Sequence, residues 1–254
     1  MLPDPWTALR AHTAARIALG RAGNSLPTAE WLRFGVAHAM ARDAVHEPLD
    51  AGLLASQLHD QAFDPVTIVQ SAAADRDTYL RRPDLGRRLA PDSAALLEPL
   101  PAPGALVVVM IGDGLSARAA QAHALPLLVE LRPRLEAAGM ATGPLVIARQ
   151  ARVALGDEVA ALLGASVVLV LIGERPGLSS PDSLGAYLTW APRVGCADSQ
   201  RNCVSNIRPQ GLSPAAAAHR IAWLLSASRR LGTTGVALKD DSDAPAALPG
   251  QSSP

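Results

Sequence analysis

The sequence predicts an α/β fold, a mostly parallel sheet with an N-terminal helical region in front of it. Three observations carry this. From residue 105 onward the apolar runs "ALVVVMIG", "LVIAR" and "SVVLVLIG" alternate with stretches of helical periodicity, and strands that alternate with helices pair in parallel through right-handed crossovers. The runs are continuous and not alternating, as in strands covered on both faces. The composition is 49% hydrophobic and only 3% aromatic, so Ala, Leu and Val must fill the interior. At 254 residues the chain can bury one sizeable core, or one main domain with an appended region.

The elements follow in order. Segment 4–20, "DPWTALRAHTAARIALG", offers Asp4 as N-cap, Pro5 in the first turn and Gly20 as a stop, the usual punctuation of a helix. A second helix is expected over 29–45, behind Thr28, with Leu32, Val36 and Ala39 or Met40 at helical spacing. A third covers "DAGLLASQLHDQAF" at 50–63. Pro65 and the basic turn "YLRRPDLGRRLAPDS" read as irregular chain, and "LLEPLPAPG" as a linker. Then come strand 105–111 with a long helix behind "IGDGLSA", strand 145–149 with a helix at 156–164, and the third strand at 166–172. "SPAAAAHRIAWLLSASRRLG" is a late amphipathic helix, and "TGVALKD" is read as a final strand. The tail 241–254, polar and Pro-rich, reads as disordered. The divisions expected are thus 1–100, 101–240 and 241–254.

Charge and cysteine content exclude several classes. Lys and Arg total 23, Asp and Glu total 23, so no net positive field holds nucleic acid. Two cysteines, Cys196 and Cys203, build no disulfide framework, and a reducing compartment is expected. No apolar window reaches membrane-spanning length, and the N-terminus has no signal-peptide pattern. A soluble cytoplasmic protein is the expectation.

In a doubly wound sheet, ligands sit beyond the carboxyl ends of the strands. Three segments fall there: "IGDGLSA", "RQARVALGDE" and "IGERPGLSS". The first resembles a nucleotide-binding turn through Gly112 and Gly114, but Ala117 stands at the third glycine site. The plainer reading is a strand-to-helix turn capped by Asp113 or Ser116. In the third, Glu174 can serve as general acid or base, or as a salt-bridge partner of Arg175, or as a backbone cap. Cys196 and Cys203 are seven apart, which is no metal or redox spacing, and Cys203 in "DSQRNCVSNIRPQG" is the better placed for function. The six histidines are scattered without ligand spacing and read as surface or interface residues. No G-x-S-x-G elbow or H-E-x-x-H occurs. The residues thus describe a ligand-binding α/β domain without a self-sufficient catalytic constellation, as in part of a shared site.

Taken in order, "ALGRAGNSLPTAEWLRFGVAHAMARDAVHEPLD", "IGDGLSA", "RQARVALGDEVAALLGA", "VLIGERPGLSSPDSLGAYLTWAPRVG" and "RNCVSNIRPQGLS" resemble the small subunits of ethanolamine ammonia-lyase, over roughly residues 4–240. The resemblance implies a Rossmann-like domain and an adenosylcobalamin-dependent enzyme converting ethanolamine to acetaldehyde and ammonia. It implies a large TIM-barrel subunit that carries the radical chemistry, in a dodecamer of six large and six small chains, free in the cytoplasm or inside a bacterial microcompartment. The N-terminal helices, with Trp6 and Trp31, would pack on that subunit. The family's cofactor contacts fall on Val153, Glu174 and Cys203, with Arg152, Arg175 and Asn202 as neighbours. No catalytic residue and no metal ligand is implied in this chain. The competing expectations are a stand-alone NAD- or nucleotide-dependent enzyme, motivated by "IGDGLSA", and a cofactor-free interaction subunit.

Overall fold

The structure is a computed structural model and describes residues 4–13, 15–98 and 107–243. The boundary expected near residue 100, most of its linker, and the tail from 244 onward lie outside the described residues.

Six strands form one sheet in the order β1-β3-β2-β4-β5-β6. They are β1 (Val66–Gln70), β2 (Val107–Gly112), β3 (Thr142–Arg149), β4 (Val167–Gly173), β5 (Leu184–Trp190) and β6 (Arg201–Ile207). The helices are α1 (Thr28–His46), α2 (Ala51–Asp60), α3 (Arg76–Arg81), α4 (Pro91–Leu97), α5 (Ala117–Ala137), α6 (Leu155–Leu162) and α7 (Pro214–Leu231). Pairing is parallel from β1 through β4 and antiparallel from β4 to β5 and from β5 to β6. The mixed α/β class with a mostly parallel sheet is therefore what the chain adopts.

The continuous apolar runs have the cause expected of them. Val107, Val109 and Ile111 of β2 enter one core with Leu169 and Leu171 of β4, under α2, α5 and α7. Val108 and Met110 enter a second core with Val168 and Val170, under α4 and α6. Every residue of β2 and β4 is buried, which leaves no position for a polar side chain.

Three expectations are corrected. Among the described residues of segment 4–20 the one helical element is a short 3-10 turn at Thr7–Ala11, none of it buried. Punctuation without an apolar face to pack does not sustain a helix, because helical stability comes mostly from tertiary burial. The chain read as irregular after Pro65 holds β1, α3 and α4, elements of five to seven residues that are too short for periodicity to reveal. "TGVALKD" is a 3-10 turn at Gly235–Ala237 and not a strand. Strands β5 and β6 lie in segments to which no element was assigned from sequence.

The last pair shapes the site. On β5, Leu184, Ala186 and Leu188 are buried in the first core, and on β6 Val204 and Ile207 join them. On the second face, α4 and α6 pack against β1, β2 and β4, while Cys203 and Ser205 of β6 stay exposed. Among the described residues, one half of one sheet face is thus left open.

Candidate functional site

At the carboxyl ends of β2, β3 and β4 a cleft of about 430 Å3 opens, lined by residues that include Tyr79, Arg152, Val153, Glu174 and Tyr187. A smaller cavity of about 250 Å3 lies at the amino end of β3 beside Phe63 and Arg132. There the Arg132 guanidinium stacks on the Phe63 ring at 3.5 Å, and none of the expected site residues is near.

The cleft begins with two interlocked turns. Leu115 donates its backbone N–H to the Gly173 carbonyl at 2.9 Å. A Cβ on Gly114 would lie 2.2 Å from that same oxygen, and one on Gly173 would lie 1.9 Å from the Ser116 carbonyl. Gly114 also sits at φ +56°, where glycine is favoured. Gly114 of "IGDG" and Gly173 therefore serve backbone contact between neighbouring strand ends, whereas a Cβ on Gly112 would meet only the side chains of Ala151 and Ile172.

Of the two caps expected there, Ser116 is the one formed, its hydroxyl accepting from Ala119 N–H at 3.3 Å. Asp113 instead ties β2 to the turn after β3. It accepts backbone N–H bonds from Gln150 at 2.8 Å and Ala151 at 2.9 Å, and Arg76 stands 3.6 Å away. Burial pushes the Asp113 carboxyl up, and those same donors and the Arg76 charge oppose it. Arg76 also donates to the Val45 carbonyl at 2.6 Å and the Gly114 carbonyl at 2.8 Å, so one guanidinium joins α1 to the end of β2.

One wall of the cleft was missed in the sequence. Tyr79, fully buried, has two guanidinium groups over its ring, that of Arg76 at 4.7 Å and that of Arg152 at 4.1 Å from its centroid, two cation–π contacts. Its hydroxyl donates to the Ala151 carbonyl at 3.1 Å, and burial pushes it up to about 12. The three residues come from the region read as irregular and from "RQARV", so no local pattern links them.

Glu174 follows β4 directly. Its Oε2 accepts from the Ser183 hydroxyl at 2.5 Å and from Asn206 N–H at 3.2 Å. Its Oε1 lies over β5, where a Cβ on Gly185 would come within 2.9 Å of it. A carboxylate can fold across the strand there because Gly185 has no side chain. Among the described residues no ion pair joins Glu174 to Arg175; the partners are a hydroxyl and a backbone N–H, as in the cap reading. No histidine, serine or cysteine stands with Glu174 in the described cleft lining.

Val153 sits in the turn before α6, opposite Glu174 in the same cleft, and packs partly on the second core. Cys203 lies within β6, as the direct partner of Tyr187 on β5. Partial desolvation pushes its thiol up, Glu174 adds to that, and the neighbouring Tyr187 hydroxyl opposes it. Arg152 and Arg175 line the cleft. Asn202 turns away, donating to the Leu238 carbonyl at 2.7 Å and accepting from Gly235 N–H at 2.8 Å. Tyr187 was not singled out by sequence. The alternation of Leu184, Ala186 and Leu188 with Gly185, Tyr187 and Thr189 is the signal that places it on the open face.

Elsewhere, His123 is buried beside Asp182 at 3.3 Å, so not every histidine is at the surface. Among the described residues no group of three His, Cys, Asp or Glu is placed to hold a metal ion, and no helix is long and apolar enough to cross a membrane.

Comparison with known proteins adds the family. The model of the ethanolamine ammonia-lyase light chain matches residues 3–239. The ethanolamine ammonia-lyase small subunit of Azotobacter vinelandii is 53% identical over 243 residues, 94% of this chain and 90% of the relative. That of Ralstonia nicotianae is 52% identical over 245 residues, with 95% and 90% covered. That of Pseudomonas syringae pv. tomato is 51% identical over 241 residues, with 94% and 84% covered.

Proposed function

The chain belongs to the ethanolamine ammonia-lyase light-chain family, and from that premise we propose that it is the subunit that holds adenosylcobalamin against a catalytic large subunit. The enzyme so formed converts ethanolamine to acetaldehyde and ammonia. In this reading the partner is a TIM barrel, and six chains of each kind assemble. The complex works in the cytoplasm, free or enclosed in a bacterial microcompartment. Residues 1–100 supply the contact with the large subunit and residues 101–240 most of the face toward the cofactor, to which Tyr79 adds a wall.

The observation that carries the reading is Glu174. It is the one carboxylate in the described cleft lining, and among the described residues both of the carboxylate's hydrogen bonds fall on Oε2. Oε1 is left as an acceptor over Gly185. An ionised carboxylate only accepts, so it matches the N–H groups of the amide side chains around a corrin ring. Val153 supplies an apolar contact on the other side of the cleft. Cys203 supplies a small, weakly polar surface that needs no bond to cobalt. The residues present thus fit an edge of the cofactor, while a cleft of about 430 Å3 is too small for all of it and leaves the remainder to a partner.

Adenosylcobalamin supplies the radical chemistry when bound; this chain supplies placement and the exclusion of water. A nucleotide-dependent enzyme is disfavoured by the interlocked glycines, because the Gly173 carbonyl occupies the space beside Gly114.

The test is co-expression with a large subunit, followed by assay of aldehyde release from ethanolamine with and without adenosylcobalamin. Release is expected only from the complex with the cofactor. Release by this chain alone, or with NAD in place of cobalamin, overturns the reading. Glu174→Ala is expected to weaken cobalamin retention about tenfold, as for a lost charged hydrogen bond, with subunit assembly intact.

A further inference from the structure

Val153, Glu174 and Cys203 are far apart in sequence, and Tyr187 stands among them. It lines the cleft together with Val153 and Glu174, and it is the direct cross-strand partner of Cys203. A Cβ on Gly185 would meet the Tyr187 ring at 3.1 Å and the Glu174 carboxylate at 2.9 Å. The bare glycine therefore lets ring and carboxylate lie side by side on the sheet. Tyr187 is half-buried and packs partly on the second core beside Val153, so the ring is fixed from below while one side faces the open half of the sheet. A single ligand that touches all three residues must cover it.

Resting on the cofactor-holding reading above, we propose that Tyr187 is a further cofactor-contacting residue. Its ring is the floor between Glu174 and Cys203, and its hydroxyl donates to a carboxamide oxygen of cobalamin.

The chemistry complements that of Glu174. Corrin carboxamides present both N–H donors and carbonyl acceptors, whereas Glu174 answers only the donors. Desolvation, with Cys203 and Glu174 adding to it, holds the Tyr187 phenol in its protonated form, so it remains a donor across the neutral range. The Cys203 thiol lies opposite it in the strand register, and among the described residues no hydrogen bond occupies the hydroxyl. Sulfur is a weak acceptor, so the donor stays available to a carbonyl oxygen. Arg152 and Arg175 line the same cleft and are donors as well, but Tyr187 is the neutral donor that stands beside both Glu174 and Cys203.

The experiment uses the purified complex of both subunits, with cyanocobalamin binding read by equilibrium dialysis. Tyr187→Phe keeps the ring and the packing and removes only the donor; subunit stoichiometry and melting temperature check that the complex is intact. Its affinity is expected to fall about three- to tenfold, the worth of one hydrogen bond. Tyr187→Ala is expected to lose about tenfold to a hundredfold as the apolar floor goes too. Tyr187→Phe binding equal to that of the wild type overturns the proposal. Failure of the wild-type complex to take up cyanocobalamin overturns the cofactor-holding reading instead, so the two failures are told apart.

Discussion

Asp157, in the first turn of α6, and Arg201, the first residue of β6, form a bidentate ion pair with both arms at 2.6 Å and both side chains almost wholly buried. The same guanidinium donates to the Thr189 hydroxyl at 2.7 Å and the Cys196 carbonyl at 3.0 Å. Three elements converge on one arginine. The pair ties α6, behind the turn that carries Val153, to the strand that carries Cys203, and so sets the span of the proposed cofactor shelf.

Removing one partner leaves the other charged, buried and unpaired, which costs about 3–5 kcal/mol. Arg201→Met is therefore expected to lower the unfolding free energy by that amount in urea denaturation. The double variant with Asp157→Leu is expected to recover much of it, because both desolvation penalties are then gone. A double variant no more stable than Arg201→Met would show that the site needs its polar bonds and not merely charge balance.

The interlocked turns make a sharper demand. A methyl at Gly173 would sit 1.9 Å from the Ser116 carbonyl and 2.6 Å from that of Asp113, both backbone atoms that cannot swing aside. Gly173→Ala is expected to destabilise the chain by about 3 kcal/mol, the upper range for overpacking, and to displace Glu174, its neighbour. Gly35, inside α1, has nothing within 4 Å of the same methyl. Gly35→Ala is expected to stabilise by about 0.5–1 kcal/mol. Thermal melts of the two variants give opposite signs if backbone contact is the reason for Gly173.

Cys203 offers a pH test. Its thiol is raised above the ordinary value, by desolvation first and Glu174 next, so the folded protein keeps the proton to higher pH. The thiolate is the nucleophile, and alkylation near pH 8 is therefore slowed. In a Cys196→Ser background, with one thiol left, the midpoint of iodoacetamide reactivity against pH is expected above that of a free cysteine. Glu174→Gln is expected to bring it down and speed the reaction. A midpoint at or below the free-thiol value, or one indifferent to Glu174→Gln, would show that the thiol lies outside the carboxylate's field.

The α/β class was legible because β2 and β4 are covered on both faces, and that burial prints itself as "VVVMIG" and "VVLVLIG". Helices α1, α5 and α7 were legible for the same local reason, periodicity over eighteen residues or more. Strands β1, β5 and β6 were not. Each is five to seven residues long, and β5 and β6 mix apolar residues with the Gly, Ser and Asn of turns. Without β6, no pattern in the sequence places Cys203 on a strand face.

Sequence alone determined the family, since motifs in the right order survive as strings, and it determined which three residues to watch. Only the tertiary structure decided what those residues share. Strand register sets Tyr187 opposite Cys203, and the bare backbone of Gly185 admits Glu174 beside the Tyr187 ring. A buried arginine holds α6 to β6. Each relationship joins positions separated by many residues, through hydrogen-bond register or close packing. Neither leaves a periodic trace along the chain.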